Sequence, residues 1–291
     1  MKKFFIALGI LILLGGSGFA YYRWQRLQKE DVPAAVDFSQ IGERNTGNPS
    51  DATSARTEEE RVKNTAHAST QTQDSSPNST AETTSSTAQT SELTSPIASE
   101  IPSSLNLKMD FYSQAPLGNW DYPWQEACEE ASVLLVANTY FEHGWSRDEF
   151  NDQILKIVAW EKERFGAYEH TSVEQTAQML REYLKLETKI HENPTFEDIR
   201  AILAKGHLIV ATFAGKEIGN PYYKNGGPNY HAMVIKGYKE GKKLITSDVG
   251  TKRGDDYVYR FSTLQKALHD YAEPIDRGAK RLIEVLPPEK P

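Results

Sequence analysis

The chain has a single cysteine, Cys128, in 291 residues. One thiol excludes an intrachain disulfide framework and any multi-cysteine metal site. Basic blocks are also missing. The formal net charge is -7, and neither a Lys/Arg-rich run nor a Gly-rich phosphate loop occurs, so nucleic acid and nucleotides are poor partners. No aromatic residue stands between Phe38 and Phe111, and from about Asn45 to Glu100 the sequence is Ser, Thr, Gln, Asn and Ala with scattered charge. Such a segment cannot bury enough apolar surface to offset its ordering entropy, and it reads as a disordered tether. As a coil of about 56 residues it would reach ~40 Å root-mean-square. Its Ser/Thr content is read as a means of solubility rather than as a glycosylated stalk. No internal repeat is present.

The amino terminus has what the tether lacks. Lys2 and Lys3 precede an uncharged run from Phe4 to Tyr22. As a helix at ~1.5 Å per residue the run would span roughly 28 Å, close to the hydrocarbon core. Tyr21, Tyr22 and Trp24 follow with Arg23 and Arg26, an interfacial composition. The expectation is a single-pass membrane anchor with the lysines inside and the rest of the chain outside the cytoplasm. The rival is a cleavable signal peptide, for which Gly18 and Ala20 supply small residues, and which would give a secreted protein. The domains are therefore read as 1–26 anchor or signal peptide, 27–101 linker, and 102–288 globular domain, long enough for one sizeable core.

Within that domain helical signals come first. Tyr122 to Phe141 predicts an amphipathic helix with Pro123 in its first turn. Ser146 with Glu149 predicts a capping box for a helix to about Arg164, and Thr171 with Glu174 another to about Leu184. Thr195 opens a helix that Gly206 ends. The period then changes. Strands are predicted over 207–213, 230–238, 243–248, 257–261 and 281–286, with a helix over 262–271. Helices followed by antiparallel strands make an α+β domain.

Cys128 opens the first of these helices, where the helix dipole lowers a thiol pKa. Glu126, Glu129 and Glu130 oppose that effect by raising it. A buried structural cysteine is the plainer alternative. His231 is the candidate base, delivered to the start of a strand by the Gly-, Pro- and Tyr-rich loop 219–229. Asp248 ends the next strand and would orient the imidazole, the alternative being a turn aspartate. A hairpin of this length puts both at one end of adjacent strands. Gln114 is the candidate oxyanion donor, with Gln125 as rival and the Cys128 backbone N–H as helper. Trp120 and Trp124 read as packing residues, His143 as a helix-end residue, and His207 as a strand-start residue facing solvent. Cysteine, histidine and acid in this order suit nucleophilic acyl chemistry that needs neither metal nor organic cofactor.

The block Asp110–Pro116, then Trp120, then Ala127–Ser132, resembles the free-standing cysteine-peptidase-like domains related to bacteriocin double-glycine leader peptidases. The resemblance continues through His231–Tyr238 and Ser247–Asp248 and covers about residues 105–255, more loosely to 285. It implies a papain-like fold, with Cys128 as nucleophile, His231 as base, Asp248 as orienting acid and Gln114 in the oxyanion glutamine's place. Gln114 stands fourteen residues before the cysteine, with Tyr122 at the family's six-residue position, and Glu129 replaces the usual glycine. The expected function is a membrane-tethered, extracytoplasmic cysteine peptidase acting on a peptide or protein. The alternatives are a cell-wall amidase or endopeptidase, and an inactive module that keeps the fold and binds.

Overall fold

A computed structural model describes residues 30–38, 40–41 and 101–289. The predicted anchor at 1–26 and the Ser/Thr-rich tract lie outside the described residues. Among the described residues no helix is long and apolar enough to cross a membrane.

The strands are β1 (Leu105–Asn106), β2 (Thr188–Glu192), β3 (Leu208–Ala214), β4 (Tyr230–Lys239), β5 (Lys243–Ser247), β6 (Tyr257–Arg260) and β7 (Arg281–Val285). They form one antiparallel sheet in the order β2-β7-β3-β4-β5-β6, with β1 paired to β4. The helices are α1 (Cys128–Tyr140), α2 (Arg147–Phe165), α3 (Val173–Gln178), α4 (Phe196–Ala204), α5 (Gly215–Ile218) and α6 (Phe261–Ala267). The α+β expectation holds. The two-residue β1, the half-exposed β2 and the single-turn α5 were not foreseen, being too short or too polar to carry a periodic signal.

The first helix departs most from its prediction. Trp124–Glu126 form a 3₁₀ turn and Ala127 lies outside the helical region at φ -94°, ψ 38°, so α1 starts at Cys128 itself. Nor is it amphipathic, because every residue from Cys128 to Asn138 is buried. It is a central helix, packed on β4 and β3 on one side and α2 on the other. A buried polar face on such a helix has to find partners inside the protein. The capping box at Ser146 forms as predicted, and Thr195 opens its helix as predicted, there with Asp198 as capping-box partner, whereas the remaining box uses Ser172 and Gln175, one residue after the predicted pair.

Part of the segment predicted as linker is packed on the domain. Val36 bridges Leu107, Ile41 joins the core, and Phe38 meets the Tyr140 ring edge-on at 5.4 Å. Val36, Phe38 and Ile41 supply the apolar surface that the later Ser/Thr tract lacks.

His207 does not face solvent freely. With His191 it clamps the buried Glu284, each imidazole 2.6 Å from one carboxylate oxygen, which ties β2 and β3 to β7. Burial works to raise the Glu284 pKa, but the two imidazoles outweigh it and hold it below the usual carboxylate value. A depressed carboxyl contributes stability above its unfolded pKa and loses it as pH falls through the native value. Glu284→Gln is therefore expected to lose about 1.5–3 kcal/mol at pH 6, the scale of a charge-assisted hydrogen bond, and to match the parent in strong acid. Urea denaturation at both pH values checks this, and a gap independent of pH would mean that Glu284 is not ionised there.

Candidate active site

The long strand β4 and the first turn of α1 meet around Cys128. The thiol is almost buried, at 6% exposure. Its Sγ donates to Glu129 Oε2 at 2.8 Å, and the Ala232 backbone N–H of β4 is directed at the sulfur. Burial first, and Glu129 second, push the thiol well above its ordinary pKa, more than the Ala232 amide can offset. The position at N1 of a helix does not win here. The dipole is worth about 0.3–1 kcal/mol, whereas a buried carboxylate in contact acts at low dielectric.

Glu129 is one of three acids in this layer. Glu130 on α1 and Glu161 on α2 are both fully buried. Burial raises Glu161 to about 8, and burial with the neighbouring Glu161 pushes Glu130 well above the usual carboxylate value. The oxygens of this pair meet no other donor among the described residues. A proton held between the two carboxyls answers that deficit, as like charges in contact cannot both ionise.

His231 and Asp248 meet as the hairpin reading expected. Val234 pairs with Ser247 across β4 and β5, which leaves the two residues at the same end. His231 Nε2 lies 2.8 Å from Asp248 Oδ1, and both side chains are buried. Asp248 is held by more than the histidine. Tyr259 OH donates at 2.5 Å, Tyr223 OH at 2.7 Å and Asn220 Nδ2 at 2.9 Å to Oδ2, and the Gly250 N–H donates to Oδ1 at 3.1 Å. Burial alone would raise this carboxyl. The His231 charge and the hydrogen bonds from His231, Tyr259 and Tyr223 reverse the direction and keep it ionised. With Nε2 committed to Asp248, Nδ1 is the nitrogen left to exchange a proton.

Two glycines fit the site closely. A Cβ on Gly250 would stand 2.7 Å from His231 Cε1, and one on Gly254 would stand 1.7 Å from the Asp248 carbonyl oxygen. Neither glycine stood out in the sequence. The roles of Asn220, Tyr223 and Tyr259 were also missed. The only signal was the Gly-, Pro- and Tyr-rich composition of the loop that brings two of them in.

Gln114 lies at the same cleft, with its backbone N–H donating to Val249 O, just past Asp248. Its amide donates both hydrogens, to Trp124 O at 2.9 Å and Gln125 O at 3.0 Å. It thus braces the 3₁₀ turn before Cys128, and would serve an oxyanion only by releasing one of these carbonyls. Gln125 is exposed, and its amide donates to Glu126 at 3.3 Å. Trp124 packs against the core, as expected. Trp120 does not only pack: it lines the cleft, which holds about 580 Å³ and has His231 and Gly250 in its wall. His143 stacks on Trp145 at 4.5 Å.

Residues 106–273, more than half of the chain, match the Peptidase_C39 like family. The chain belongs to this family. The matched span runs from β1 past α6 and contains Gln114, Cys128, His231 and Asp248. Residues 106–273 are thus a C39-like, papain-fold peptidase domain, and the family is one of cysteine peptidases acting on peptides or proteins. A solved structure, that of a C39-like peptidase from Bacillus anthracis, is similar at 14% identity and a TM-score of 0.30. The likeness covers 43% of this chain and 64% of that one. No curated protein matches the chain.

Proposed function

We propose that this C39-like domain hydrolyses a peptide bond with Cys128 as nucleophile, His231 as general base and acid, and Asp248 as the group that orients the imidazole. The observation that carries the reading is the buried His231–Asp248 pair, on a strand whose next residue, Ala232, touches the Cys128 thiol. In the resting state that thiol is protonated and bonded to Glu129. The mechanism requires the short side chain to turn from Glu129 to His231 Nδ1. The imidazole takes the proton as sulfur attacks the substrate carbonyl. The oxyanion forms beside the Cys128 backbone N–H at the start of α1 and the Gln114 amide. His231 then gives its proton to the leaving amine. A water molecule, deprotonated by the same imidazole, cleaves the thioester and restores the thiol.

The apolar run 4–22 and the tract 45–100 would hold the domain outside the membrane, within reach of cell-wall or surface substrates. Wall amides would require the same residues. The bond from Cys128 to Glu129 favours a second reading, a peptidase fold that binds and does not cut.

A peptide vinyl sulfone separates these readings, because it is a Michael acceptor that traps a thiol activated by a neighbouring imidazole. Labelling of Cys128 in the parent, lost in His231→Ala, together with peptide hydrolysis, is the expected outcome. Hydrolysis of purified wall but not of peptides would select the amidase. Slow labelling that is equal in both proteins, with no hydrolysis, would leave a binding module.

A further inference from the structure

We infer that the cleft beside His231 is a subsite for acidic side chains, so that the favoured ligand is a peptide carrying Asp or Glu. The inference rests on the proposed peptide substrate of this same site.

Lys224, Lys252 and Arg253 line this cleft together with His231, and Glu126 is the single carboxylate in its wall. That excess of cations stands against a chain with 40 acidic and 33 basic residues. None of the three cations has an ion-pair partner among the described residues. Arg164, Lys236, Lys243 and Arg281, which lie elsewhere, are each within 4 Å of a carboxylate. Glu126 forms an ion pair with none of the three; its carboxylate accepts from the neighbouring Gln125 amide.

The loops that carry these cations are also held in place. Gly254, which follows Arg253, is seated so closely on the Asp248 carbonyl that no side chain fits there. The Arg253 guanidinium lies over the Tyr222 ring at 4.8 Å. The loop bearing Lys224 is fixed by Gly227 at φ +110°, packed on Tyr223 and on the Gly215 carbonyl. The loops that carry positive charge are thus the ones that hold Asp248 and Tyr223. A cleft walled by one sign of charge, with low-dielectric protein behind it, focuses its field on an incoming ligand. Trp120 and Tyr222 add flat apolar surface for the rest of a peptide.

The test is binding to Cys128→Ser protein, which separates recognition from chemistry. The probes are matched hexapeptides with two Glu, two Gln or two Lys, read by tryptophan fluorescence at 50 and 300 mM salt. The acidic peptide is expected to bind tightest, with the order Glu, Gln, Lys and an advantage that shrinks at high salt. Lys224→Ala with Lys252→Ala should reduce that advantage about two- to five-fold per charge, a larger change than in binding of the Gln peptide. Equal binding of the three peptides would overturn the inference even if the parent cleaves peptides. A sulfated polysaccharide that binds while the Glu peptide does not would overturn the peptide as source of the anion. Acidic preference without hydrolysis in the parent would uphold the subsite and sink the peptidase reading.

Discussion

Glu129→Gln protein is expected to alkylate at Cys128 faster than the parent throughout the neutral range. The parent thiol is held above its ordinary pKa by burial and then by the Glu129 carboxylate, which also accepts its hydrogen bond at 2.8 Å. The amide has the same size and no charge. Removing a like charge in contact should lower the thiol pKa, so the rate at a fixed pH below the midpoint rises by roughly an order of magnitude. Iodoacetamide rates from pH 6 to 10 would show this as a leftward shift of the profile. The residual elevation then measures burial, which the substitution leaves in place. A midpoint that does not move would mean that burial alone silences the thiol. The prediction bears on the mechanism, because a resting thiol bonded to Glu129 has to exchange that partner for His231 before it can react.

The second large effect is at Asp248. Asp248→Ala should cost about 3–5 kcal/mol of stability, because it removes one charge from a buried constellation and leaves its donors unpaired. His231, Tyr223, Tyr259 and Asn220 all give hydrogen bonds to this carboxylate in the parent. Among molecules that remain folded, peptide hydrolysis should fall by about 10³–10⁴, the loss seen when an imidazole loses its orienting acid. The acid limb supplies a separate readout. The Asp248 pKa is lowered in the fold, so its contribution is present above the unfolded value of 3.8 and is lost as pH falls through the native value. The substituted protein should lack that part of the acid-induced loss. Stability close to the parent's at pH 7 would show that the tyrosines and Asn220 find other partners, and Asp248 would then be a dispensable turn residue.

The sequence by itself determined the order of the longer elements and the residues worth asking about. Periodicity and capping residues are local properties. They marked α2, α4 and the β4–β5 hairpin, and through the hairpin they put His231 beside Asp248. Only the tertiary structure decided the state of the thiol. The balance between helix dipole and neighbouring carboxylates at Cys128 depends on burial, and burial came from α1 being enclosed between the sheet and α2. A short run of Glu after a cysteine looks like a solvated face until that enclosure is known. Asn220, Tyr223 and Tyr259 reach Asp248 from positions 28, 25 and 11 residues away, distances over which sequence carries no contact signal. The three cleft cations were equally illegible, since Lys224 and the pair Lys252–Arg253 sit in separate loops that converge only when β4 and β5 pair.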